Sequence, residues 1–384
     1  MDEKLIEKWL DNNVINEDQA NIMRKDIDAS KSAKRSSKII TAVSTIGAVL
    51  LGLAAITFMA ANWDVIPDFV KILLFTLITV ASFYFGYILK YEKKSYPLVG
   101  SSLVFLSGLM VGATIFLTAQ TYNLTVFSYI GVLIWLIFVL PLVYILKDRP
   151  IGYLASALFL ALIAVYAWDV ERALIAVLIL AAGIVLVQVG RLHSLWKDYE
   201  NIGRIGKVVG NSTILFIVFL LTFSEIADWL AEIFPTSYGL EDLIETGVIE
   251  LLALAVIALT LAIVFFVKTD TNWKKRPELL AELALILIFV CFMLVPAAGI
   301  FIYVFNIYFI TYIVLLMRLG YQTSDASTVN KALYWFGLYI FTRYIEWFWD
   351  LLPQSMFFFV GGVLLIGGGV YLEKKRRSIA KTLQ

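Results

Sequence analysis

The chain carries one cysteine, Cys291, and one histidine, His193, in 384 residues. One thiol cannot close an intramolecular disulfide or build a thiolate metal cluster. His193 stands in a polar loop and reads as a surface residue rather than a catalytic one. There is no His/Cys/Asp metal set, no Ser/Lys dyad and no His-Glu-x-x-His, so no metal or other cofactor is expected. Charge is scarce as well, at 16% of residues. A soluble domain carries about 25%. No secretory signal is visible, because the first apolar run follows a charged segment of about 38 residues. No stretch has the length and polarity of a separate catalytic domain.

What fills the chain instead is apolar: 61% of residues are hydrophobic and the mean hydropathy is +0.85. That composition implies an integral membrane protein. The expected fold is an all-α polytopic bundle. Candidate spans are 39–61, 69–89, 97–119, 126–146, 151–167, 173–190, 209–224, 247–267, 279–295, 300–317, 332–349 and 355–372, about 12 membrane helices in all. The domains read as a cytosolic hairpin with its basic collar (1–36), the membrane domain (37–373) and a basic tail (374–384).

Charge tests this count. With the amino terminus in the cytosol and sides alternating, the inward connections hold Lys90, Lys93, Lys94, Lys147, Arg149, Arg191, Lys197, Arg204, Lys207, Lys268, Lys274, Lys275, Arg276, Arg318, Lys331 and the tail. The outward ones hold only Lys71 and Arg172. Lys/Arg bias sets orientation, so a multi-pass cell-membrane protein with both termini cytosolic is expected. The outer face is acidic, most densely from Glu225 to Glu245. An acidic rim can concentrate cations, but an outer loop is polar in any case.

Residues 1–30 read as two short helices. Leu5, Ile6 and Trp9 form one apolar stripe, Asn16 and Gln19 have the spacing of a capping box, and Ala20, Met23 and Ile27 form the second stripe. So small a unit lacks a core of its own, so it docks on the membrane domain or on a protein partner. Nucleic acid is excluded as that partner, because acids outnumber bases in the segment and phosphate binding needs a basic face. The tail residues Lys374, Lys375, Arg376 and Arg377 suit anionic lipid headgroups or simply fix the last span. Gly108 with Gly112, and Gly361, Gly362, Gly367, Gly368 and Gly369, mark close helix contacts. Their first use is packing within one bundle, and a homodimer seam is the alternative.

The polar residues at depth are the candidate site. Arg343 stands roughly 17 Å along the eleventh span at 1.5 Å per residue. An Arg there costs about 2.5–3.5 kcal/mol on insertion scales and needs a partner. Glu346, Trp347 and Asp350 share its helix face. Asn62, Asp64, Gln120, Tyr122, Asn123 and Asn306 also fall in the outer half, with Glu250 opening the eighth span, whereas Gln188 and Asn211 lie towards the cytosol. If the outer set converges, it forms an outward polar pocket. If not, these residues make separate interhelical bonds or sit at headgroup level.

Three stretches carry a resemblance: Ala60-Ala-Asn-Trp-Asp64, Thr118-Ala-Gln-Thr-Tyr-Asn123, and Arg343-Tyr-Ile-Glu-Trp-Phe-Trp-Asp350 before a Gly-rich last span ending Glu373-Lys-Lys-Arg-Arg377. Together with Trp9 and Ile15 they resemble the prokaryotic predicted membrane proteins catalogued as domain of unknown function 2157. The resemblance implies a many-span cell-membrane protein, connected with the envelope, and brings no activity with it. Transport through a pocket at Arg343, Glu346 and Asp350 is the first functional reading, though no filter sequence or inverted repeat supports it. A structural or accessory envelope protein, with Arg343 in a buried clasp, is the second. A lipid-linked-sugar glycosyltransferase using Asp64 and Asp68 is the third, and such enzymes usually have larger outer loops.

Overall fold

The computed structural model describes residues 14–61, 65–124, 128–172, 174–226, 247–269, 298–322 and 324–348, with isolated positions in 6–12, 281–288 and 356–370. Among the described residues the chain is helical and has no strand. Ten α-helices of these residues make up the frame: α1 Glu17–Ala61, α2 Asp68–Tyr87, α3 Pro97–Thr121, α4 Ser128–Leu146, α5 Arg149–Asp169, α6 Ile175–His193, α7 Glu200–Leu220, α8 Val248–Thr269, α9 Ala298–Gln322 and α10 Ala326–Phe348.

Eight segments among the described residues are long and apolar enough to cross a membrane: those built on α2 to α9. The expected count of about 12 meets this number in part. The first expected span lies within α1, whose apolar stretch, Ala42–Ala54, is short. The eleventh is α10, a helix carrying Lys331, Arg343 and Glu346. The ninth and twelfth fall largely outside the described residues. The seventh begins earlier than expected, at Glu200 rather than at 209, because Gly203, Gly206 and Gly210 extend its packing face back through a polar stretch.

Local chemistry sets the helix ends. At Asn16 the expected capping box is formed: its N–H donates to Gln19 Oε1 at 3.0 Å, and Gln19 N–H donates to Asn16 Oδ1 at 2.8 Å. From there α1 runs 45 residues without a break, through the expected boundary at 36/37. Pro97 and Pro150 open α3 and α5, where a missing N–H costs nothing. α3 closes in a Schellman turn. Asn123 takes φ 49°, and Leu124 N–H reaches Ala119 O at 2.9 Å. Glu171 closes α5 in the same way.

α6 is the most buried helix of the bundle and α7 lies against it. Small residues bring the two backbones together: a Cβ added to Gly190 would stand 2.6 Å from Gly203 O, and one on Gly203 would stand 2.5 Å from Gly190 O. Any side chain there would push the helices apart. α1, α2 and α4 pack against α3, α4 packs on α5 and α5 on α6 and α7, while α8 lies on α6 and α9 lies between α7 and α10. The pair Gly108 and Gly112 serves this one bundle, meeting Leu154 of α5 and Trp135 of α4 respectively. Trp135 Nε1–H also donates to Gly108 O at 2.7 Å. Of the described glycines in the carboxy-terminal run, Gly361 meets Tyr344, while Gly362, Gly367 and Gly368 have open space around them.

Ion pairs between helices sort by end of the bundle. Lys90 meets Asp148 at 2.6 Å and Lys147 meets Asp198 at 3.5 Å at one end. Arg172 meets Glu250 at 2.8 Å at the other. Lys71, in the first turn of α2, is paired with Asp68 at 2.8 Å. No described pair joins opposite ends of the bundle, which is what alternating helices require.

Candidate functional site

Arg343 lies on α10, and its guanidinium points at the end of α7. There the helix stops at Leu220, and Thr222, fully buried, presents its carbonyl oxygen to two donors. Arg343 Nη1 donates to it at 2.8 Å and Asn306 Nδ2 donates to it at 3.1 Å. A helix carboxy terminus carries partial negative charge, so the end of α7 suits a buried cation. The guanidinium lies over the Phe223 ring at 4.3 Å and near Tyr339 at 5.6 Å. The aromatic partner thus comes from the turn after α7 as well as from α10. The Trp347 side chain, expected in that role, lies outside the described residues.

Glu346 sits one turn on. Its Oε2 is 2.5 Å from Arg343 Nη1, and its Oε1 accepts hydrogen bonds from Ser224 Oγ at 2.8 Å and Ser224 N at 3.3 Å. Asn306 is tied in from α9, donating also to Ile302 O at 2.7 Å and accepting from Tyr339 Oη at 2.6 Å. Arg343, Glu346 and Asn306 are therefore brought together around one turn.

The set is incompletely paired. Among the described residues Arg343 Nε and Nη2 have no hydrogen-bond partner, and Glu346 Oε2 has none beyond its contact with the guanidinium. Buried polar atoms are rarely left so. Against Glu346 is a cavity of about 250 Å³ lined by Phe223, Glu225, Thr342, Ile345 and Glu346, with Arg343 behind its wall. Glu346 belongs to both the ion pair and the cavity wall.

The other expected residues stand elsewhere. Gln120, Tyr122 and Asn123 form the exposed end of α3, where Asn123 acts as the helix-ending residue, and no polar contact among the described residues joins them to Arg343. Asn62, Asp64 and Asp350 lie outside the described residues. Beside Gln120 is a second, apolar cavity of about 660 Å³ between α2, α3 and α4. Its threonines Thr76, Thr79, Thr114 and Thr118 give their hydroxyl protons to their own helix carbonyls.

A second polar cluster stands outside the expected set. Arg191, in the last turn of α6, forms two bonds to Glu282: Nη1 to Oε2 at 2.5 Å and Nη2 to Oε1 at 2.7 Å. Gln188 donates to Glu282 Oε2 at 2.8 Å and accepts from Arg191 Nη1 at 3.0 Å. All three residues are buried. The signal for it is an acid early in the ninth apolar run, with Gln188 and Arg191 three apart on one helix face. His193 is likewise engaged. Because a carbonyl only accepts, its Nδ1 carries the proton bonded to Val189 O at 2.8 Å, and Tyr144 Oη donates to Nε2 at 3.0 Å.

Helices of this length and apolarity, joined by buried polar clasps, define a multi-pass α-helical membrane protein. Residues 7–152 match the family model described as "Predicted membrane protein (DUF2157)". The motifs ending the first and third expected spans lie inside that match, and Arg343-Tyr-Ile-Glu-Trp-Phe-Trp-Asp350 lies beyond it. No curated protein and no solved structure is detectably similar to the chain.

Proposed function

We propose that this is a transporter-like protein of the cell membrane that admits a small polar solute to the cavity beside Arg343 and Glu346. One observation carries the reading: a buried, incompletely paired guanidinium whose counter-ion, Glu346, forms part of a cavity wall. Intramembrane ionisable groups are functional-site hypotheses by default, and unpaired buried donors are costly unless something meets them. In this reading the cavity opens on the acidic outer face and both termini lie in the cytosol. The basic tail, Lys374 to Arg377, rests on anionic headgroups, and residues 1–30 meet a protein partner.

An accessory role in an envelope complex is the second reading. The recurrence of clasps at Lys90–Asp148, Arg172–Glu250 and Arg191–Glu282 favours it, since the Arg343 pair is then one brace among several. The glycosyltransferase reading gains nothing: Asp68 is bound to Lys71, and Asp64 lies outside the described residues.

A single thiol separates the two main readings. Cys291→Ser with Thr342→Cys places one cysteine on the cavity wall. Labelling of intact cells by a membrane-impermeant maleimide is the expected result. A folded, inserted variant that stays unlabelled in cells but reacts after denaturation means a dry brace.

A further inference from the structure

The larger cavity, about 660 Å³ between α2, α3 and α4, has no part in the Arg343 cluster. α2 and α4 both pack on α3 rather than on each other, so α3 is the floor of a cleft between them. Two glycines set how α4 sits on that floor. Trp135 of α4 lies against Gly112 of α3, and Phe116 of α3 lies against Gly131 of α4, where an added Cβ would stand 2.8 Å from the ring. A ring on each helix thus meets bare backbone on the other.

The lining decides what can enter. No charged side chain lines the cavity among the described residues. Its four threonine hydroxyls have already given their protons to carbonyls of their own helices. An enclosed water needs about two to four polar partners, and an ion or sugar would lose its hydration with nothing in return. An empty space would forfeit the dispersion contacts of its walls. The cavity therefore suits an apolar occupant.

Depth names that occupant. Along α4 the lining runs from Ser128, the first residue of the helix, to Phe138. Those ten residue steps span about 15 Å at about 1.5 Å each, half of a hydrocarbon core of about 30 Å. The cavity begins at headgroup level and ends near the bilayer middle, which is the reach of one lipid tail. Its edge is apolar and exposed, at 38% for Phe116, 37% for Ile134 and 61% for Phe138, so the cleft is continuous with the surface that meets hydrocarbon. An apolar cavity of about 150 Å³ takes one benzene ring. One of about 660 Å³ has room for a whole tail.

We propose that the cleft between α2, α3 and α4 holds an acyl chain of a membrane phospholipid, retained as part of the bundle. With no charged lining, the site selects the tail and not the headgroup. All of its lining lies inside residues 7–152, the stretch that matches the family model.

The test is native mass spectrometry of the full chain, extracted from cells in a mild detergent and washed free of bulk lipid. One phospholipid retained per chain is the expected result. Ala119→Trp puts a ring into the cavity. It should lower the lipid-bound fraction by about tenfold, the effect of excluding roughly two methylenes of tail. Ile134→Trp, at the exposed edge, should lower it less and serves where Ala119→Trp does not fold. Ile263→Trp, exposed on α8, should leave it unchanged. Added dipalmitoyl phosphatidylglycerol and dipalmitoyl phosphatidylethanolamine should replace the native lipid equally well, and a strong preference between them overturns selection by the tail. Lipid retained undiminished by both filling variants overturns the site, as does a washed wild type that carries none. A retained molecule other than a phospholipid overturns the assignment of the occupant. A dimer that the same substitutions dissociate overturns it too, by seating a second copy in the cleft.

Discussion

Two clusters in this bundle use the same three kinds of group, and only one is complete. Around Arg191 the guanidinium meets both oxygens of Glu282, and the Gln188 amide closes the ring of bonds. Around Arg343 the amide, Asn306, is tied to backbone and to Tyr339, the carboxylate meets one nitrogen, and Nε and Nη2 have no partner among the described residues. Their carboxylates also differ in exposure, 1% for the Glu282 side chain against 23% for Glu346. The Arg191 cluster is satisfied and closed, whereas the Arg343 cluster is left short of partners and its carboxylate lines a cavity. The contrast lies in the bonding, since the chemical groups are the same.

The largest effect should come from breaking the closed cluster. Glu282→Ala leaves Arg191 buried and uncompensated, at a cost of about 3–5 kcal/mol. Thermal unfolding in detergent should show it as a much lower Tm. Replacing both partners, Arg191→Met with Glu282→Met, should restore most of that loss, since a well-packed apolar pair can substitute for a buried salt bridge. Failure of that rescue would mean the closed cluster does more than brace.

Arg343→Ala should cost less, about 1.5–3 kcal/mol for its charge-assisted bonds, because Glu346 keeps Ser224 and some solvent contact. A loss as large as that of Glu282→Ala would erase the distinction drawn between the clusters. Smaller again is Ser224→Ala, which removes the hydroxyl bond to Glu346 Oε1 while the backbone N–H still donates to it, and should lower stability by about 1 kcal/mol. The same substitution, combined with Thr342→Cys, should change maleimide labelling of the introduced thiol if Glu346 gates the cavity.

The smallest effect concerns pH. Asp325 caps α10, the helix that carries Arg343, and accepts from Ser327 N at 2.9 Å and Thr328 Oγ1 at 2.7 Å. The Thr328 hydroxyl first, then the Ser327 and Thr328 N–H groups and Lys331, hold its carboxyl below the usual range against slight desolvation. Its stabilisation is therefore fully present above the ordinary carboxylate pKa and is lost as pH falls through the lowered value. Asp325→Asn keeps a good cap but loses the ionised group's share, so it should lower neutral-pH stability slightly while flattening the acid dependence. Amide exchange should show any acid loosening in α10 and not in α6.

Much of the frame was legible because hydropathy acts over whole segments. Averaging over about 20 residues absorbs local error. The Asn16–Gln19 capping box was legible too, since its partners are three residues apart. The start of α7 was not. Glu200, Arg204 and Lys207 lower its mean hydropathy, and only contact with α6 reveals Gly203 and Gly206 as the packing face. Arg343 could be read with Glu346 because both lie on one helix. Its neighbours Thr222, Phe223 and Ser224 could not, being more than a hundred residues away in the chain. Arg191 shows the same limit from the other side. It looked like one more charge marking a membrane edge, and its bond to Glu282 spans 91 residues.

The unbroken course of α1 has a mechanical consequence. At 1.5 Å per residue, a bilayer core of about 30 Å takes about 20 residues, and α1 has 45. The polar residues ahead of its apolar stretch, Ala42–Ala54, form an arm that continues the same helix as the part packed on α3. A hinge there would let a protein gripping the far end swing without effect. A rod does not: a push at Glu17 becomes a tilt at Gly52, where the helix meets Leu106. Whatever holds the tip of that arm has leverage on the bundle.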